Sequence, residues 1–103
     1  MKLLTKELLT KFEKQPKEDV GDDTKVIAHF FNPTGSGDWY AIEYDPQDKI
    51  FFGLAHITDA EFGTWSLDEL ESFKGTFGLG IERDLHFRPM TVRELKTKYN
   101  IEW

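Results

Sequence analysis

Residues 26–57, VIAHFFNPTGSGDWYAIEYDPQDKIFFGLAHI, decide the fold. Three runs rich in β-branched and aromatic residues are separated by two clusters of turn formers, Asn32-Pro33-Thr34-Gly35-Ser36-Gly37-Asp38 and Asp45-Pro46-Gln47-Asp48. Proline presets φ, glycine admits positive φ, and short polar side chains bond their own backbone, so both clusters break extended chain. The runs therefore predict three consecutive antiparallel strands, the first two joined by a long connection. Residues 26–31 are apolar at both alternating sets of positions, which predicts cover on both faces. In residues 50–57, Ile50, Phe52, Leu54 and His56 share one face.

Toward the N-terminus, Leu4, Leu8 and Phe12 recur at four-residue spacing with lysines between them, the stripe of a short amphipathic helix that ends before Gln15-Pro16. Residues 17–24 form a charged loop. Toward the C-terminus, residues 62–65 offer a short fourth strand. Ser66 with Glu69 predicts a capped helix whose inner face is Leu67, Leu70 and Phe73. Gly75, Gly78 and Gly80 punctuate a turned stretch, and residues 81–87 read as extended. Thr91 and Glu94 form a second capping box, with Val92, Leu95 and Tyr99 at helical spacing. The expected class is α+β, an antiparallel sheet of three to five strands packed against two or three short helices. No linker, repeat or composition break divides residues 1–103, so one domain is expected.

Fifteen aromatic residues supply apolar area enough to oppose chain entropy. With no cysteine, disulfides, thiolate metal sites and cysteine nucleophiles are excluded. No apolar run reaches the roughly 18–20 residues that span a bilayer, so a cytoplasmic protein is expected. The net charge of −6 disfavours a general nucleic-acid binder, which gains affinity by releasing counterions with Lys and Arg. Its distribution is uneven: +3 over residues 1–17, −11 over residues 18–71 and +2 over residues 72–103.

The blocks Met1-Lys2-Leu3-Leu4-Thr5, residues 30–53, Ser66-Leu67-Asp68-Glu69-Leu70-Glu71 and Gly78-Leu79-Gly80-Ile81-Glu82-Arg83-Asp84-Leu85-His86-Phe87 together resemble a family of small uncharacterised bacterial proteins, a domain of unknown function. The resemblance carries no catalytic residue across. It implies cargo of plasmids, phages and conjugative elements, and with it an accessory or anti-defence role.

No known catalytic motif is present. The loop at residues 32–38 lacks the Gly-Lys-Ser/Thr of a phosphate loop and reads as a connection, its tip flanked by Trp39 and Tyr40 as potential contact anchors. Asp19, Asp22, Asp23, Asp45, Asp48, Asp59 and Glu61 lie near loops and turns, and Asp68 and Glu71 on the outer side of a helix. If folding gathers them, their negative potential would attract a basic protein of the host or of the mobile element, mimicking nucleic-acid charge. The alternative is an ordinary solvated surface.

A second candidate is Glu82, Arg83, Asp84 and His86, three of which share one face of an extended segment and suit a general base or small-ligand site; an internal ion-pair network is the plainer alternative. His29, His56 and His86 suit a metal only if all three converge, and half-buried single histidines are the simpler expectation, so neither metal nor cofactor is assigned. A third candidate, a nucleic-acid surface, needs Lys2, Lys6, Lys11, Lys14 and Lys17 to meet Arg88, Arg93, Lys96 and Lys98 in space.

Overall fold

The computed structural model describes residues 2–16 and 20–101. Helix α1 (Lys6–Lys14) precedes strands β1 (Lys25–Val26), β2 (Ala28–Phe31), β3 (Asp38–Asp45), β4 (Ile50–His56) and β5 (Ala60–Ser66). Helix α2 (Leu67–Ser72), a 3-10 turn at Thr76–Gly78, β6 (Glu82–Arg83), β7 (Met90–Thr91) and α3 (Val92–Tyr99) complete it. The main sheet is antiparallel with order β5-β4-β3-β2-β6, and β1 pairs with β7 in a separate ribbon. The expected α+β class is therefore the observed one, with the meander running from β2 to β5.

Both faces of the sheet are covered, as the doubly apolar 26–31 run required. On the first face, Leu3, Leu4 and Phe12 from the α1 region and Leu70 of α2 pack on Ala28, Phe30, Trp39, Ala41, Tyr44, Phe51 and Trp65. On the second, Val92 and Leu95 of α3 and Val26 of β1 pack on Tyr40, Ile42 and Leu54. The 26–31 run is not one strand, however. It changes sheets at Ile27, whose N–H donates to the Ala41 carbonyl at 2.8 Å, so that Val26 pairs with Met90 while Ala28 pairs with Ala41.

A bulge in β3 between Ala41 and Glu43 places Ile42 on the second face and returns Tyr44 to the first. The Ile42 carbonyl accepts from Gln15 Nε2 at 3.1 Å, and the same amide reaches the Lys25 carbonyl at 2.7 Å. This buried glutamine at the end of α1 thus satisfies backbone acceptors of both sheets, which is why a polar side chain sits in the interior.

Other expectations need correction. The fourth strand is longer than residues 62–65, and α2 stops at Ser72, so Phe73 is its exposed C-cap rather than part of its inner face. Only Glu82 and Arg83 of residues 81–87 are strand; the chain then turns, with the Phe87 N–H donating to the Asp84 carbonyl at 3.3 Å.

At α3 the capping box forms in full, Glu94 N–H donating to Thr91 Oγ1 at 3.2 Å and Thr91 N–H to Glu94 Oε1 at 3.1 Å. Because α3 covers the second face, loss of this cap weakens the whole packing. Thr91→Ala is expected to lower stability by about 1 kcal/mol, measured as a reduced urea midpoint at unchanged slope.

Candidate functional site

Hairpin register builds the most polar part of the molecule. Residues 32–37 connect β2 to β3, the Asn32 N–H donating to the Gly37 carbonyl at 2.9 Å, so Phe31 pairs with Asp38 and His29 with Tyr40. Asp38 in turn pairs with His56 of β4. Alternation then puts His29, Asp38, Tyr40 and His56 on the second face of the sheet.

His29 lies between two carboxylates. Its Nε2 is 2.7 Å from Asp38 Oδ1 and its Nδ1 is 2.9 Å from Asp84 Oδ2, while the Tyr40 ring stacks on it at 4.4 Å and 11°. Each ring nitrogen thus has a carboxylate oxygen within hydrogen-bond distance. Burial opposes ionisation of Asp84, but the bonds from His29 and the His86 N–H outweigh it and hold the carboxyl below its ordinary value. The second Asp38 oxygen is 3.9 Å from His56 Nδ1, an ion-pair separation too long for a hydrogen bond.

Around this group, Tyr40 and Tyr99 share a hydroxyl hydrogen bond of 2.8 Å, and the His56 ring lies 4.7 Å from that of Tyr99. Burial, and then that bond, push the Tyr40 hydroxyl far above its usual range. An open cavity of about 380 Å³ adjoins the cluster, lined by His29, Phe31, Asn32, Gly35, Gly37, Asp38 and Asp84.

Of the Glu82, Arg83, Asp84 and His86 candidate, Asp84 turns to His29 while accepting the His86 N–H at 3.0 Å, Arg83 Nη1 donates to the Lys2 carbonyl at 2.6 Å, and His86 is exposed. Sequence reasoning missed Asp38, taken as a loop residue although it opens β3, and the link of His29 to Asp84 across 55 positions. Among the described residues, no group of three or more His, Asp or Glu is placed to hold a metal ion.

The acidic residues are divided by the fold. Asp19 lies outside the described residues. Asp22 accepts from Lys96 Nζ and Asp23 from Arg93 Nη1, both at 2.7 Å, and Lys96 holds the Asp22 carboxyl below its ordinary value. Two of the expected partner-binding carboxylates are therefore neutralised by α3. Trp39 and Tyr40 are also corrected: β3 begins at Asp38, so both lie in the core rather than at a loop tip. Asp59 and Glu61 stand at the far end of β4 from Asp45 and Asp48, Glu61 opposite Ala55, about 15–20 Å away at the usual strand rise.

One group of carboxylates does converge. The Leu67 N–H donates to the Lys49 carbonyl at 3.0 Å, holding the start of α2 against the β3–β4 turn. Asp45 is fixed there by accepting the Gln47 N–H at 2.9 Å. Burial, then Asp68, Glu71 and Asp45 in that order, raise the Tyr44 hydroxyl above its ordinary value, so all three carboxylates act on one point. Of the basic candidates, Lys6, Lys11 and Lys14 stand on α1, which covers the first face, and Arg93, Lys96 and Lys98 on α3, which covers the second. Lys17 lies outside the described residues. No helix among the described residues is long and apolar enough to cross a membrane.

Comparison with curated proteins returned no match, and comparison with solved structures returned none. The family described as Protein of unknown function (DUF2958) matches residues 2–96, nearly the whole of the fold just described. The chain belongs to the DUF2958 family.

Proposed function

We propose that this protein is a non-enzymatic interaction module that engages a basic protein through the carboxylates gathered around Tyr44. The observation that carries this reading is the seating of α2, with Asp68 and Glu71, against the turn that holds Asp45 and Asp48, fixed by the Leu67 N–H bond to the Lys49 carbonyl at 3.0 Å; Asp68, Glu71 and Asp45 all raise the Tyr44 hydroxyl there. Such a field accelerates encounter with a cationic surface and selects against anionic ones. The arrangement of His29 supports binding over acid–base catalysis, because both ring nitrogens already face carboxylates and neither is left to exchange a proton with a substrate. A basic partner encoded by a host or mobile element, and an anti-defence role by charge mimicry, follow as the specific form of the proposal.

Two measurements test it. The triple variant Asp45→Asn, Asp68→Asn, Glu71→Gln is expected to lower the Tyr44 hydroxyl toward its ordinary value, followed by the ring carbon shift in an NMR titration; the part due to burial remains. Against a fluorescent peptide rich in lysine and arginine, the wild type is expected to bind more weakly as salt rises, and the triple variant to lose about tenfold in affinity at low salt with a flatter salt dependence. Wild-type binding indifferent to salt would sink the reading.

A second reading has one specific support: Asp38 lies between two histidines at the rim of the 380 Å³ cavity. A small guanidinium or ammonium ligand is the chemistry that two carboxylates would recognise there. Backbone NMR shifts confined to residues 29–38 and 84–87 on titration with arginine would transfer the assignment to that site.

A further inference from the structure

Between α2 and β6 the chain closes a tight turn, the Gly75 N–H donating to the Leu79 carbonyl at 2.7 Å and the Gly78 N–H to the Gly75 carbonyl at 3.0 Å. The turn is seated against the β2–β3 loop, since a Cβ at Gly75 would come within 2.6 Å of Thr34 Oγ1. At its apex stands Phe77, with φ of 61° and 93% of its surface exposed. Leu79 and Phe73, on either side, are exposed as well.

The fold itself gains nothing from this arrangement. A left-handed backbone is strained at a residue with a Cβ, and a ring left in water contributes no burial to stability. Glycine at position 77 would relieve the strain with no loss of packing, yet the sequence carries a phenylalanine there. A strained, outward aromatic on a hydrogen-bonded turn is the form of an interface anchor: rigid, high in apolar area and presented before contact.

We infer that Phe77 is the apolar anchor of the surface proposed above, inserting into a hydrophobic pocket rimmed by Lys and Arg on a basic protein. The inference rests on that proposal for the charge of its partner. Six residues link Glu71 to Phe77, so the two lie at most about 20 Å apart, within one ordinary interface of about 800 Å² per partner. Phe77 with Leu79 and Phe73 supplies the desolvated centre, and Asp68 and Glu71 supply rim charge. A phospholipid surface is the less fitting occupant, because anionic headgroups repel the −6 net charge and these neighbouring carboxylates.

The experiment has two arms. In the first, Phe77→Gly is expected to leave the urea midpoint unchanged or raise it; a lowered midpoint means that the ring is packed within the fold, and overturns the inference. In the second, p-benzoylphenylalanine is placed at position 77, and separately at position 48, in the full chain within host cells, and irradiated. The expected result is a crosslink from position 77 to a protein of basic isoelectric point, mapping to an apolar pocket flanked by Lys or Arg, with Phe77→Ala lowering the affinity of that pair about 30-fold. Crosslinking to lipid, to a second copy of this chain or to nothing overturns it. A basic partner crosslinked at position 48 but not at 77 overturns the anchor and leaves the acidic surface standing. A crosslink at 77 that is indifferent to salt and to Asp68→Asn with Glu71→Gln sinks the acidic surface, and with it the basic-rimmed pocket inferred here.

Discussion

Gly53→Ala is expected to abolish stable folding or to lower stability by at least about 3 kcal/mol, from the 5–15 kcal/mol of an ordinary domain. Gly53 lies on β4, opposite Ala41 just before the β3 bulge and opposite Gly63 of β5. A Cβ there would overlap the Tyr40 carbonyl oxygen and press on the Tyr40 carbonyl carbon at 2.9 Å and the Ala41 Cα at 3.1 Å. All three are backbone atoms of the buried residues Tyr40 and Ala41 in a central strand, so no rotamer change relieves the contact; β3 and β4 must separate. Gly63, one strand away, is the control, because nothing lies within 4 Å of a Cβ placed on it. Gly63→Ala is expected to change stability by under about 0.5 kcal/mol. Urea midpoints of the two variants decide the matter, and equal midpoints would show that β3 and β4 are not held as closely as described. The same pairing brings His56 beside Asp38, so Gly53 supports the polar cluster as well as the core.

What the sequence discloses follows the range of the forces involved. The turn clusters at residues 32–38 and 45–48 act locally, and they mark the meander correctly. The capping box of Thr91 and Glu94 is local too, and it forms as its spacing implies. By contrast, residues 26–31 look like one strand because nothing within them signals the change of sheet at Ile27; the partner that draws Val26 away is Met90, 64 positions later. The bulge at Ile42 has no local mark either, and Gln15 gives no hint that its amide will close it. Residues 81–87 alternate like a strand, but Asp84 is claimed by His29 and the chain turns there.

The same division explains the candidate sites. Charge could be counted along the chain, whereas its pairing could not: Asp22 and Asp23 are quenched by bases 74 and 70 positions away, while Asp45, Asp68 and Glu71 are brought together by the β4–β5 pairing and the Leu67 N–H bond to Lys49 that extends it. Trp39 and Tyr40 looked like loop anchors because the end of the loop was not marked by composition. Phe77 was passed over among glycines, since only backbone conformation and exposure distinguish it from a core residue.

Removing the imidazole of His29 is expected to cost about 1–3 kcal/mol near neutral pH, between the losses for exposed and for buried polar pairs. The side chains of His29, Asp38 and Asp84 are 13%, 32% and 28% exposed, so solvent screens the two carboxylates only in part. In His29→Ala they face each other across the vacated ring with the hydrogen-bond partner they shared removed, and the stack on Tyr40 is lost. The pH dependence separates the two losses. Asp84 has its folded value depressed, so its contribution is present above the unfolded carboxylate value of about 4 and is lost as pH falls through the lower folded value. Once His29 is removed that contribution is gone, and protonation instead relieves repulsion. The deficit of His29→Ala against wild type should therefore shrink between neutral pH and about pH 3, mostly below about pH 4, leaving the packing share. Asp84→Asn in the His29→Ala background should recover part of the loss near neutral pH, a coupling that a thermodynamic cycle isolates. Urea midpoints at the two pH values check both expectations. A deficit that does not change with pH, or one under about 1 kcal/mol, would mean that the carboxylates do not depend on His29 and that the cluster is a surface accident rather than the tie joining β2, β3 and the turn after β6.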